Sequence, residues 1–294
     1  MIFMIEIRNL TKTFIDVKAV NDLSIQINDG INGLVGENGA GKSTLLRLIA
    51  DVYQANEGEI YIDNLLNNDI EAKKQIFFLS DNPYAPNNYT IKQVFELYSS
   101  LFDLDASVFN RIMDKLNLPK DRKVSTYSKG MKRQFFIAIA LSSNARYILL
   151  DEAFDGLDPL VLDVIKQEII SFADKKTFIV SSHNISSLER LCDNFIVLSK
   201  GRCAKDGDIE HIGENFVKYQ ILFKNSVTKE DIEKLGFSIL SFKKVGSICN
   251  VVFHEEIDED KLKEKYEMIL CEKIPIDPDE LIALEMLSAR NEDK

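Results

Sequence analysis

The chain has 294 residues, 45% of them hydrophobic and 28% charged, with 47 acidic against 36 basic side chains and a net charge of −11. That length allows one large domain and a small one, and the acidic balance argues against general nucleic-acid binding or adhesion to anionic membranes, which favour basic surfaces. No apolar run reaches the ~18–20 residues that span a bilayer. The four cysteines, Cys192, Cys203, Cys249 and Cys271, include no C-x-x-C pair, so reduced thiols of a cytosolic protein are expected rather than a zinc site or a disulfide framework.

Met1-Ile2-Phe3-Met4-Ile5 is soon interrupted by Glu6 and Arg8, so Ile2–Ile7 reads as a first strand rather than a signal peptide. Further strands are predicted at Val20–Ile27, Ile31–Val35, Gly58–Ile62 and Gln75–Leu79, separated by Asn, Asp and Gly turns. Helical spacing of apolar residues follows at Ile91–Phe102, Val108–Leu116 and Met131–Leu141. Strand and helix then alternate: Tyr147–Leu150, Leu160–Phe172, Thr177–Ser181 and a short helix at Ser186–Leu191. Phe195–Leu198 and Arg202–Lys205 close this part around a Lys200-Gly201 turn. The remainder reads strand Val217–Phe223, helix Thr228–Leu235, strands Phe237–Phe242 and Ile248–Phe253, helix Glu259–Tyr266 and strand Met268–Glu272. This β-α-β-β-α-β order is that of a ferredoxin-like unit, and a last helix is expected over Pro278–Ala289. The acidic run Glu255–Asp260 reads as a solvated helix start, and His211 and His254 as surface residues.

The most telling stretch is Gly36-Glu37-Asn38-Gly39-Ala40-Gly41-Lys42-Ser43-Thr44. It fits G-x-x-x-x-G-K-[ST] between the apolar strand ending at Val35 and the helix opening near Lys42, the context of a phosphate-binding loop. Its glycines let successive N–H groups face phosphate oxygens, Lys42 can reach the β- and γ-phosphates, and the Ser43 hydroxyl can ligate Mg²⁺. The helix adds its positive dipole end. A nucleoside triphosphate is the implied ligand. Tyr147-Ile148-Leu149-Leu150-Asp151-Glu152 is a buried-type strand ending in two acids at the ligand edge of an α/β sheet. Asp151 suits Mg²⁺, and Glu152 suits the polarising of an attacking water.

With these motifs in order, the chain resembles the nucleotide-binding subunit of ABC (ATP-binding cassette) transporters over about residues 1–212. Tyr127-Ser128-Lys129-Gly130-Met131-Lys132-Arg133-Gln134 is similar to the family signature in the form frequent in ABC-2-type exporters. Asp158 in Phe154-Asp155-Gly156-Leu157-Asp158-Pro159 matches the D-loop, His183 in Val180-Ser181-Ser182-His183 the switch histidine, and Phe14 the aromatic that stacks on adenine. The resemblance implies a P-loop NTPase fold of the ABC type: a mixed-sheet core, an antiparallel β subdomain and a helical subdomain at about 82–143. The small α+β accessory domain would then occupy 213–294. Ser128 offers a hydroxyl and Gly130 an open N–H at a helix N-terminus, and in the family that site faces the partner subunit's ATP. Taken alone, Ser128 is an ordinary N-cap, Phe14 a core aromatic and His183 a structural strand-end histidine.

Three positions depart from the family pattern. Asp81 stands where a glutamine normally touches Mg²⁺ and relays the nucleotide state; it can still ligate a cation but cannot donate as an amide does. Lys129 replaces a glycine of the signature, and Ala153 replaces the proline after the catalytic Glu. The resemblance implies a Mg²⁺-ATP hydrolase with Lys42, Glu152 and His183 as its catalytic residues. It implies a homodimer or heterodimer of cassettes on a separate polytopic permease, cytoplasmic and peripheral on the cytoplasmic face of the cell membrane. An importer cassette and an ATP-gated regulatory protein are the alternatives.

Overall fold

The computed structural model describes residues 4–185, 187–188, 190–208 and 212–292. It divides into two compact units, Met1–Asp206 and Gly207–Lys294.

In the first unit, β1 (Met4–Phe14) and β2 (Val17–Asn28) form an antiparallel hairpin, with Phe14 paired to Val17 beside the turn. With β4 (Glu57–Ile62) and β5 (Leu65–Leu66) they make a sheet ordered β2-β1-β4-β5. The second sheet runs β10-β9-β3-β8-β7-β6, built from β3 (Ile31–Gly36), β6 (Ile76–Leu79), β7 (Tyr147–Leu150), β8 (Thr177–Ser182), β9 (Asn194–Ser199) and β10 (Arg202–Gly207). β3 lies parallel to both β8 and β9, and β7 parallel to β8 and β6. Every residue of β3, β7 and β8 is buried, as expected for parallel strands covered on both faces.

Helix α1 (Lys42–Ile49) lies between the two sheets. Leu45, Leu46, Leu48 and Ile49 pack among Ile5, Ile7, Ile60 and Ile62 of the antiparallel sheet and Leu34, Leu149, Ile179 and Ile196 of the parallel one. Each such side chain contributes about 1.5–3 kcal/mol on burial, so the helix that opens at Lys42 has a firm mount. A five-residue helix, α2 (Ile70–Lys74), precedes β6; it is too short to leave a periodic signal.

Between β6 and β7 the chain is helical: α3 (Ile91–Ser99), α4 (Ala106–Lys115) and α5 (Lys129–Ser142). Thr90 and Gln93 form a capping box on α3, Asp105 caps α4 and Ser128 caps α5. α3 ends before the expected Phe102, where the Ser100 hydroxyl donates to the Leu97 carbonyl at 2.7 Å. α6 (Pro159–Phe172) follows β7, with Asp158 as N-cap and Pro159 at the first helical position. The short helix expected at Ser186–Leu191 is turn at residues 187, 188, 190 and 191, too brief to propagate; Ser186 and Glu189 lie outside the described residues.

The second unit runs β11 (Val217–Phe223), α7 (Lys229–Glu233), β12 (Ile239–Val245), β13 (Ile248–Phe253), α8 (Glu259–Lys263), β14 (Met268–Ile274) and α9 (Pro278–Glu292). Its antiparallel sheet is ordered β12-β13-β11-β14, the arrangement of a ferredoxin-like unit. Tyr219, Ile221, Phe223, Val251 and Phe253 form one sheet face under Ile232 of α7 and Leu262 of α8. Glu280 of α9 takes Lys218 at 2.6 Å and Lys243 at 3.0 Å, and these ion pairs hold it below the usual carboxylate range against a desolvation cost. Asp258 caps α8 within the acidic run, and His254 is exposed; His211 lies outside the described residues.

Candidate active site

The loop from Gly36 to Thr44 wraps the floor of a cleft of about 800 Å³ at the carboxyl ends of β3, β7 and β8. Gly41 holds φ +109 and N-caps α1, and a Cβ there would meet the Ala19 carbonyl oxygen at 2.3 Å. No other residue fits that turn. The Lys42 ammonium is buried, donating to the carbonyls of Gly36 at 2.7 Å and Glu37 at 3.2 Å, and it lies 3.4 Å from Glu152 Oε1.

Asp151 at the end of β7 is fully buried. Its Oδ1 accepts from Ser43 Oγ and Ser181 Oγ, each at 2.9 Å, whereas Oδ2 has no hydrogen-bond partner. Desolvation pushes the Asp151 carboxyl above the usual carboxylate range, and the two hydroxyls and Arg47 oppose that shift. A buried carboxylate oxygen left open beside a serine hydroxyl is the donor chemistry that suits Mg²⁺. Among the described residues no group of three His, Cys, Asp or Glu side chains could hold a metal alone, so phosphate and water oxygens would complete such a shell.

Glu152 sits one residue beyond the strand with φ +47, a left-handed conformation that costs a non-glycine residue stability and is found at functional sites. Its N–H donates to Ser181 Oγ at 2.9 Å, and its Oε2 lies 3.0 Å from His183 Nδ1. Lys42 and His183 thus flank the Glu152 carboxylate in the cleft.

The cleft is lined by Glu37 to Thr44, Asp81, Glu152 and His183 of the expected site residues. It is also lined by Asn82, Lys129, Arg133 and Asp155, for which no role was expected. Arg133 donates to the Asp155 carbonyl, tying the start of α5 to the segment after β7. Phe14 lies apart from the cleft lining, partly exposed and edge-on to Tyr53 at 5.4 Å. Ser128, Gly130 and Asp158 also lie outside that lining. Ser128 Oγ accepts from the Met131 N–H at 3.2 Å, Asp158 Oδ1 from the Leu160 N–H at 2.9 Å, and open space surrounds Gly130.

Two contributors escaped the sequence reading. Ser181 joins the backbone of Glu152 to the carboxylate of Asp151, which becomes visible only once β8 is known to lie beside β7. Arg47 follows Ser43 by four residues, so helical spacing alone would have put both on one face. Its guanidinium reaches Asp81 Oδ1 at 3.0 Å and Asp151 Oδ2 at 3.7 Å.

The family model described as ABC transporter matches residues 20–155. The ABC transporter ATP-binding protein YtrB of Bacillus subtilis (strain 168) is 30% identical over 230 residues, covering 76% of this chain and 78% of that protein. The bacitracin transport ATP-binding protein BcrA of Bacillus licheniformis is 28% identical over 224 residues, covering 74% of this chain and 73% of that one. A solved dimeric structure of a bacterial ABC transporter cassette matches with a TM-score of 0.63 at 24% identity, over 69% of this chain and 98% of that one, a likeness of fold. Among the described residues no helix is long and apolar enough to cross a membrane. A phosphate loop serves many families, but similarity to YtrB over most of both lengths narrows them to one: the chain belongs to the ATP-binding proteins of ABC transporters, nucleotide-binding subunits that hydrolyse ATP.

Proposed function

We propose that this chain is the motor of an ABC-2-type exporter, acting as one of two cassettes, identical or homologous, on a separate polytopic permease at the cytoplasmic face of the cell membrane. The bacitracin transport protein among its relatives supports export, and the signature-like Tyr127-Ser128-Lys129-Gly130-Met131 supports the subtype. Residues 1–212 would form the cassette and 213–294 an accessory domain. No nucleic-acid partner is expected for so acidic a chain.

The observation that carries the reading is the placement of Glu152 between Lys42 and His183 above the buried Asp151. In this reading the loop N–H groups and Lys42 hold the phosphates, and Glu152 orients and deprotonates the attacking water. His183 holds Glu152 and the γ-phosphate end in register. Ser43 and Asp151 would hold Mg²⁺, with Asp81 nearby; the ion would supply positive charge to the phosphate oxygens. Phe14 would stack on the base. Ser128, Gly130 and Asp158, exposed or open and away from their own cleft, would serve the nucleotide of the other cassette.

Steady-state ATPase activity measured against protein concentration tests this. Turnover should rise more than linearly with concentration, because two chains must meet. Glu152→Gln should lower kcat at least 10²-fold while nucleotide binding persists. Turnover strictly proportional to concentration from the most dilute samples would refute the paired site, and a Glu152→Gln variant of normal kcat would refute the role of Glu152.

A further inference from the structure

Arg47 stands between two carboxylates that belong to different parts of the fold. From α1 its Nη2 reaches Asp81 Oδ1, after β6, at 3.0 Å and Asp151 Oδ2, after β7, at 3.7 Å. That Asp151 oxygen is the one without a hydrogen bond, on a side chain with no solvent exposure. Burying an ionised oxygen without hydrogen bonds is unfavourable unless a positive charge stands close, and the guanidinium is the side-chain cation paired with it. The same oxygen is the free donor at the position assigned above to a divalent cation, so Arg47 and the cation satisfy one and the same need. Both cannot be close to Asp151 Oδ2 without strong like-charge repulsion.

Asp81 explains why Arg47 is held there. A glutamine at this position would offer a neutral amide oxygen, a weaker partner for a guanidinium than a carboxylate. The ion pair to Asp81 and the Tyr53 ring, 6.0 Å from the guanidinium carbon, restrain the side chain on the cleft side of α1. The departure from the family pattern at Asp81 and the position of Arg47 are therefore one arrangement.

We propose that Arg47 is the internal counter-ion of the metal position, anchored by Asp81 against Asp151, and that a divalent cation binds by displacing it. This rests on the reading of Ser43 and Asp151 as metal donors. Its consequence is a chain that takes up little free cation and loads it together with nucleotide, whose phosphates supply the negative charge needed to outcompete the guanidinium.

The test is Mn²⁺ binding to the nucleotide-free full-length chain, read from the electron paramagnetic resonance signal of free Mn²⁺. Arg47→Gln should tighten Mn²⁺ binding about tenfold over the original chain. Arg47→Lys, which keeps the charge, should leave the affinity within about twofold of the original. Equal Mn²⁺ affinity in the original chain and Arg47→Gln, including none measurable in either, overturns the proposal; so does equal tightening in Arg47→Lys. The double variant Arg47→Gln/Asp151→Asn separates this inference from the reading beneath it. Loss of the tightened binding there supports both. Mn²⁺ retained at the tightened affinity shows that Asp151 is not the donor, and the metal-site reading falls together with the proposal. Circular dichroism of each variant establishes that the fold is kept.

Discussion

Ser181→Ala removes a buried hydroxyl that makes two hydrogen bonds. Ser181 is 1% exposed; its Oγ donates to Asp151 Oδ1 and accepts from the Glu152 N–H, both at 2.9 Å. A hydrogen bond to an ionised group is worth about 1.5–3 kcal/mol, and stranding a buried N–H costs about 1–3 kcal/mol. Alanine returns roughly 1 kcal/mol, because the hydroxyl no longer has to be desolvated. The net expectation is a loss of about 3 kcal/mol. Ser142→Ala is the matched control: that serine is also 1% exposed, but its hydroxyl donates only to the neutral Ile139 carbonyl three residues earlier, at 2.7 Å. It should cost about 1 kcal/mol or less. Urea unfolding followed by far-ultraviolet circular dichroism, with m held equal between variants, gives both values. A Ser181→Ala loss no larger than that of Ser142→Ala would refute the assignment of Ser181 as the support of both acids.

Three further outcomes follow from the packing. Glu168 on α6 is 2% exposed and takes Arg111 at 2.6 Å and Lys115 at 2.5 Å from α4, so Arg111→Met/Lys115→Met should destabilise by about 3–5 kcal/mol in urea unfolding, and Glu168→Gln by much less, because only the first leaves a buried charge unpaired. Gly41→Ala should abolish ATP binding in equilibrium dialysis, since the new methyl collides with the Ala19 carbonyl and φ +109 suits no alanine. Lys176, whose ammonium donates to the Leu141 and Ser143 carbonyls, is lowered by burial from 10.5 to about 8. The unfolded chain therefore holds more protons between those values, and stability should rise relative to Lys176→Met as pH climbs from about 8 to about 10.5, by roughly 1 kcal/mol once partial exposure is discounted.

What the sequence made legible was local. Gly36 to Thr44 announces its own conformation, because the glycines, the lysine and the start of α1 are contiguous. The unbroken apolar runs of β3 and β7 likewise betray strands buried on both faces. What depends on strand order was not legible. Ser181 reaches Asp151 because Leu150 of β7 registers with Val180 of β8, although their strands are separated in sequence by α6. Asp81 was singled out from its place after β6, but its partner Arg47 emerged only when α1 and the end of β6 were seen together. In the second unit the order of strands and helices could be read from periodicity, whereas the spatial order β12-β13-β11-β14 required the structure.

The helices α3, α4 and α5 leave the parallel sheet at the end of β6 and return at the start of β7, and these are adjacent strands, with Ile76 beside Tyr147 and Leu79 beside Leu150. Because the two strands are parallel, the excursion leaves at the carboxyl end of β6 and returns at the amino end of β7, so the sheet itself fixes its two mounts, about 4.8 Å apart across the sheet and a strand's length apart along it. Lengthening or reshaping the excursion adds little closure entropy, because that cost grows only with the logarithm of loop length. Among the described residues β6 is also the last strand of its sheet, with no further strand beyond this mount. The helical segment is thus fastened like a cartridge in a rim slot, so its outer surface can be reshaped while the phosphate loop, three strand spacings from that rim at β3, keeps one geometry.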